Sequence, residues 1–299
     1  MLYWFYRGRK GILAGFNTAL VIALGMAILW WGIGLFLRTN HVIPIWSDQQ
    51  KTFTKLTFHL ANPYQVPNFV NPPWSAVLMI PFGYLPLPVA VLIQACLFFV
   101  LLTIVMFKFG GNARSVLIAL TTYLTLFAVN ELNLDWLVLI GLLIPATYSG
   151  LFLLIKPQNA LGYWLSLTPY KLLFAVLGTL IVGLVSLVLW PNWPAMMFSG
   201  ANNLAARVYN LAPMAVLPRW LSALIAVWFG WKAIRRHDPI RGIWAWLFIV
   251  PYIGSYSLVL AFALLAVRHP RIALIINIAS WVAFGPILLH QIAQGLGVP

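Results

Sequence analysis

The sequence predicts an all-α integral membrane protein, a polytopic bundle of roughly 8–10 transmembrane or half-membrane helices with one further juxtamembrane helix on the outer surface. Three observations predict it. The chain is 63% hydrophobic and only 7% charged, and its mean hydropathy of +0.93 exceeds what a water-soluble domain sustains. Apolar runs recur from end to end, at 11–37, 87–107, 115–129, 172–190, 221–231 and 272–289, and several approach the ~20 residues that cross a hydrocarbon core. Segments of about ten residues with alternating polarity do not occur, so the spans are helices rather than barrel strands.

The elements follow in order. The first run is too long, and too poor in a small-residue cleavage site, for a removable signal peptide. Arg7, Arg9 and Lys10 precede it, which places the N-terminus in the cytoplasm and the loop 38–74 outside. The run 87–107 returns to Lys108 and Arg114, and 115–129 rises to Glu131. Two segments, 150–167 and 242–267, carry proline and polar residues in their middles ("LIKPQNA", "IVPYIGSYS"). They read as short helical hairpins, which membranes tolerate where they line a cavity. Pro191 to Pro218 forms a second outer loop, and Lys232, Arg235, Arg236, Arg241, Arg268 and Arg271 fall inside. Residues 1–299 therefore read as one membrane domain, expected in a prokaryotic plasma membrane. The net charge of +14 is accounted for by topology and anionic lipid headgroups, without nucleic acid. The single Cys96 lies in an apolar run, which leaves neither an internal disulfide nor a thiolate metal site.

Within 38–74, Phe53, Leu56, Phe58 and Leu60 alternate with Lys51, Thr54 and Lys55, the pattern of a helix lying on a membrane surface. The stretch that follows, "NPYQVPNFVNPPW" (62–74), holds four prolines and three asparagines and no charge. Proline fixes φ near −65° and makes such a loop rigid, while Asn62, Asn68 and Asn71 offer hydrogen bonds to hydroxyls. Only four acids occur in the chain: Asp48, Glu131, Asp135 and Asp238. Asp238 sits among cations in "KAIRRHDPIRG" and reads as their solvated partner. Ionisable groups at membrane depth are costly and usually functional, which singles out Asp135 and Lys156. Asp48 and Glu131 fall at the outer ends of spans and converge with the proline-rich loop on one layer.

Four segments carry a resemblance. "SDQQKTFTKLTFHLANPYQVPNFVNPPWSAVLMIPFGYLP" resembles the first outer loop of the C-type superfamily of membrane glycosyltransferases, and within it the polyprenyl-phosphate-mannose-dependent alpha-mannosyltransferase branch. "NELNLDWLVLIGLLI" is similar to that family's Gly-Asn-x-Asn segment, with Val129 in the place of the glycine. "GLFLLIKPQNAL" resembles its Lys-Pro hairpin, and "VPYIGSYSLVLAFALL" its late Ser-Pro motif, with Ser255 and Tyr256 where the family often has His or Asp.

The resemblance implies transfer of a sugar, mannose being one candidate, from a polyprenyl-phosphate donor to an acceptor on the outer face. Asp48 would be the catalytic base, with Glu131, Asn130, Asn133, Lys156, Gln158, Asn71 and Tyr256 binding substrate. A departing phosphate wants cations, and Lys156, Arg207 and Arg219 are the candidates. Asp48, His41 and His59 form at most a loose cluster; no metal and no cofactor is expected. The chain has no Gly-rich phosphate loop and no soluble domain for a nucleotide sugar, so the donor is lipid-linked. Expected partners are the polyprenyl-phosphate sugar or another membrane lipid, and other membrane subunits. Two further readings stay open: a non-catalytic subunit that retains this fold, and a transporter of a lipid-linked or small polar solute.

Overall fold

The computed structural model describes residues 9–40, 42, 45–205 and 210–295. Among them every regular element is helical and no strand occurs. The chain opens with α1 (Arg9–Thr39), then a wide-turn segment (Gln49–Phe53) that runs into α2 (Thr54–Leu56), a 3-10 turn at Pro63–Gln65, and α3 (Trp74–Gly83). α4 (Leu87–Lys108), α5 (Ala113–Leu120), α6 (Tyr123–Glu131), α7 (Asp135–Leu143), α8 (Ala146–Leu153) and the single turn α9 (Pro157–Ala160) come next. After a 3-10 stretch at Leu161–Ser166 follow α10 (Pro169–Leu189), α11 (Trp193–Ala205), α12 (Pro213–Val216), α13 (Arg219–Arg236), α14 (Pro239–Leu247), a 3-10 turn at Ser255–Ser257, α15 (Leu258–Arg268) and α16 (Pro270–Gly295).

Four of these helices, α1, α4, α10 and α16, are long and apolar enough to cross a membrane, or five spans if α5 and α6 count together. α4 is the central one. It packs on α1 and α7, and 56% of its most apolar stretch is buried against 11% for α10. α10 therefore turns Leu173, Ile181, Leu184 and Val188 outward, as a helix does when its solvent is hydrocarbon. Local signals set the ends of α4. Pro88 occupies its first turn, where the missing N–H costs nothing. Gly110 closes it at φ 92°, with Gly111 N–H donating to Met106 O at 2.8 Å and Gly110 N–H to Phe107 O at 3.0 Å. That paired bonding needs a left-handed residue, which glycine supplies without strain.

The run 115–129, expected as one span, is broken. α5 and α6 meet at a 62° bend around Thr121 and Thr122. A break frees backbone carbonyls, and in an apolar setting each needs a donor. Ile118 O accepts from Asn277 Nδ2 (3.1 Å), Ala119 O from Thr125 Oγ1 (2.6 Å), Leu120 O from Trp30 Nε1 (3.2 Å) and Thr121 O from Trp281 Nε1 (2.7 Å). Donors from α1, α6 and α16 thus make the kink a built feature. The run 221–231 sits in α13, whose Arg219, Lys232, Arg235 and Arg236 leave it outside the four spanning candidates. The two segments expected as hairpins each hold a polar break between helices: α8 to α9 around Lys156, and α14 to α15 around the turn at Ser255–Ser257.

The segment 47–56 is helical and no long helix runs through 48–62. Its apolar residues do not form one face: Phe53 and Leu56 are buried against the bundle, Phe58 is exposed and Leu60 half-buried. One close approach elsewhere is tight enough to predict on. A Cβ on Gly162 would lie 2.1 Å from Gly242 O, and one on Gly242 2.3 Å from Gly162 O. Backbone, not a pliant side chain, stands in the way. Gly162→Ala is expected to destabilise by about 1–3 kcal/mol, the usual cost of overpacking, whereas Gly183→Ala, where nothing lies within 4 Å, leaves thermal stability unchanged or raised. Equal melting temperatures for the two variants would contradict the contact.

Candidate functional site

The chain reaches Asp48 through a constrained turn. Trp46 takes a left-handed φ of 58°, uncommon for a bulky residue, and its N–H donates to Asn130 O at 2.6 Å. The Trp46 ring is fully buried against Gly34 of α1, where a Cβ would stand 3.0 Å from the indole. Beyond it, Gln49 is fully buried and accepts from Gln94 Nε2 of α4 at 3.0 Å. Two anchors on either side thus hold Asp48 in place.

Asn133 meets it from the break between α6 and α7. Leu132 caps α6 in the left-handed region at φ 44°, turning the chain so that Asn133 faces the 47–56 segment. Asn133 Oδ1 accepts from Leu134 N–H at 2.7 Å, which fixes the amide, and Asn133 Nδ2 donates to Asp48 Oδ2 at 2.7 Å. The same amide lies 3.4 Å from the Tyr256 hydroxyl. Among the described residues only Oδ2 of Asp48 has a protein partner. Burial pushes the Asp48 carboxyl above its ordinary range; the Lys156 charge and the Asn133 bond oppose this, Asp135 adds to it, and Lys51 opposes. Glu131 is close enough to feel the Asp48 charge, and Ser47 Oγ makes a long 3.5 Å contact to its carboxylate.

A second polar cluster lies beside the first. Asp135, in the first turn of α7, is 8% exposed. Its Oδ2 accepts from Lys156 Nζ at 2.8 Å and its Oδ1 from Ser257 Oγ at 3.1 Å; Asn159 Nδ2 also donates to Oδ1. Lys156, 5% exposed, sits just before Pro157, which keeps it out of the helical region at φ −139° and starts α9. Its ammonium also lies 4.4 Å from the centre of the Tyr256 ring, a cation–π contact. The chain Lys156–Tyr256–Asn133–Asp48 thus links the clusters.

Of the residues singled out from sequence, Asp48, Asn133, Lys156 and Tyr256 come together, with Glu131 alongside. Lys156 is buried, and a carboxylate already matches its charge. Asn130 contributes its carbonyl to Trp46, and its own amide oxygen is buried without a partner. Asn71 is buried, with its carbonyl accepting from Tyr64 at 2.9 Å, and Gln158 is half-buried on α9. Among the bonds of the described residues neither of these two side chains joins the Asp48 network. The proline-rich loop is tied to the Asp48 segment by Thr52 Oγ1, which donates to Pro67 O at 3.1 Å, and to α8 by Trp74 Nε1, which donates to Leu151 O at 2.7 Å. Arg219 is exposed at the start of α13; Arg207 and His41 lie outside the described residues. His59 is exposed and contacts Lys55 O within its own turn, and no group of three or more His, Cys, Asp or Glu suited to a metal occurs among the described residues.

Sequence reasoning missed the partners of Asp135, namely Lys156, Asn159 and Ser257. A signal was present: an acid and a lysine, both in apolar segments, have few other ways to be satisfied than by each other. Comparison with known protein families, with curated proteins and with solved structures finds no match.

Proposed function

We propose that the chain is a membrane glycosyltransferase that moves a sugar from a polyprenyl-phosphate donor to an acceptor hydroxyl at the outer face of the membrane, with Asp48 as general base. The observation that carries this reading is the Asp48 carboxylate itself. One oxygen is held by Asn133, the other has no protein partner among the described residues, and burial raises its affinity for a proton. A carboxylate so placed takes a proton from a hydroxyl better than an exposed one. The acceptor oxygen forms the new bond to the anomeric carbon, its proton passes to Asp48, and the bond from that carbon to the phosphate oxygen breaks with its electron pair leaving on polyprenyl phosphate. The configuration inverts.

In this reading Lys156 is a positioning residue. Bonded to Asp135, it holds the Tyr256 ring and through it the Asn133 amide, and its field still reaches Asp48. The test is transfer of radiolabelled sugar from polyprenyl-phosphate mannose, and from other polyprenyl-phosphate sugars, by the full chain in nanodiscs. Product formation supports the proposal, and no product from any donor moves the reading to a non-catalytic subunit. The buried Asp135–Lys156 pair beside broken helices favours transport as the second reading, and uptake of solute into sealed vesicles without sugar transfer would establish it instead.

A pH profile follows from the geometry. Transfer needs ionised Asp48, so kcat/KM falls as pH drops, with its midpoint above the ordinary carboxylate value of about 4. Asn133→Ala removes a bond to the ionised form and moves the midpoint to still higher pH. Profiles with an ordinary midpoint, identical in both proteins, would remove Asp48 from the base role.

A further inference from the structure

α13 is built inside out. Its buried residues are Ser222, Ala226, Gly230 and Ala233, a small-residue stripe at helical spacing. The stripe lets the helix lie close on α14, where a Cβ on Gly230 would meet Ala245 at 3.7 Å. The opposite face is bulky and uncovered: Trp220, Leu224, Val227, Trp228, Trp231 and Ile234 are 49–70% exposed. On this helix lies a shallow apolar groove of about 660 Å³, lined by Leu224, Ile225, Val227, Trp228, Phe229 and Trp231.

Along the helix the apolar residues give way to cations. Lys232 follows Trp228 by four residues and Arg235 follows Trp231 by four, and helical side chains lean back toward the N-terminus. Each cation accordingly rests on its ring, Lys232 Nζ at 3.7 Å and the Arg235 guanidinium at 4.9 Å from the ring centres. Arg236 is exposed beside them. The one acid nearby, Asp238, is already bonded to Arg241 and Arg268 and caps α14. Lys232, Arg235 and Arg236 therefore have no carboxylate partner among the described residues.

An open apolar helix face followed along the same helix by three uncompensated cations, two of them stacked on indoles, matches one kind of molecule: an acyl chain joined to an anionic headgroup. We propose that α13 from Leu224 to Arg236 is a binding site for an anionic phospholipid, its tail along Leu224, Val227, Trp228 and Trp231 and its phosphate between Lys232, Arg235 and Arg236. The indole rings mark the depth at which chain meets headgroup, and the cations swing from the rings to the phosphate when it arrives. The site is independent of the transfer reading above.

The test is native mass spectrometry of the full chain released from micelles that contain equal amounts of phosphatidylglycerol and phosphatidylcholine. The wild-type protein is expected to retain phosphatidylglycerol preferentially, and the Lys232→Gln, Arg235→Gln, Arg236→Gln triple variant to lose that preference by about tenfold or more, since each cation near an anionic surface is worth several-fold. Trp228→Ala with Trp231→Ala is expected to weaken retention of both lipids while leaving some preference. Arg38→Gln, in the last turn of α1 and not part of the α13 face, serves as control and keeps the wild-type ratio. Equal retention of the two lipids by the wild type would overturn the proposal. So would an unchanged preference in a triple variant of wild-type thermal stability, or full displacement of the phospholipid by an equal concentration of inorganic phosphate, which has no tail for the groove.

Discussion

Asp48→Asn is expected to lower sugar transfer by about 10²- to 10⁴-fold, the usual contribution of a positioned general base, while leaving the protein folded. Asparagine keeps the size of the side chain and its amide oxygen still accepts from Asn133, which at present bonds Asp48 Oδ2 at 2.7 Å. What it lacks is the proton acceptor. The anchors on either side, Trp46 N–H to Asn130 O and Gln49 to Gln94, do not involve the carboxylate, so the segment keeps its place. Asp48→Glu is expected to recover part of the activity. The measurement is transfer in nanodiscs with melting temperatures matched between variants, and equal rates for wild type and Asp48→Asn would exclude the role.

Lys156→Met is expected to destabilise the fold by roughly 3–5 kcal/mol, the cost of leaving a buried carboxylate without its partner. Asp135 is nearly sealed from solvent, and its remaining donors, Asn159 and Ser257, are neutral. Pairing the change with Asp135→Asn removes the uncompensated charge and is expected to restore most of the loss, because replacing both members of a buried pair is far milder than replacing one. Thermal unfolding of the two single variants and the double variant separates this from a simple packing effect. Additive losses in the double variant would mean that the pair does not act as a unit.

Much of this was legible in the residues. The apolar runs at 87–107 and 172–190 became α4 and α10 almost unchanged, because their hydrophobicity is continuous and their ends are marked by proline and glycine. Topology joined Asp48 and Glu131 with the proline-rich loop, and the resemblance added Asn133, Lys156 and Tyr256, which do meet Asp48 in one network. Asn71 and Gln158, named on the same ground, make no side-chain bond to it among the described residues. The break between α5 and α6 was not legible. Hydropathy has no direction, and the four donors that make the bend stable come from Trp30, Thr125, Asn277 and Trp281, up to 160 positions away. Lys156 and Asp135 were each singled out but not paired: a sequence shows that a buried cation needs an anion, and the scarcity of acids favours Asp135, but it does not show whether a ligand or a neighbouring side chain supplies the charge. The segment expected as an interfacial helix from Phe53, Leu56, Phe58 and Leu60 is helical over 47–56, but its side chains do not share one face. Its apolar residues looked like a membrane-facing stripe, yet Phe53 and Leu56 pack inward on the bundle.

The central claim, that Asp48 works on a lipid-linked sugar, is tested most directly by a cryo-electron microscopy structure of the full chain in nanodiscs with a polyprenyl-phosphate sugar and an acceptor analogue. The expected result is a lipid chain in a groove that ends at Asp48, with the acceptor hydroxyl within ~2.6–3.2 Å of the free carboxylate oxygen or one water away. A donor bound elsewhere on the protein, with Asp48 closed off by its own side-chain neighbours, would contradict the account.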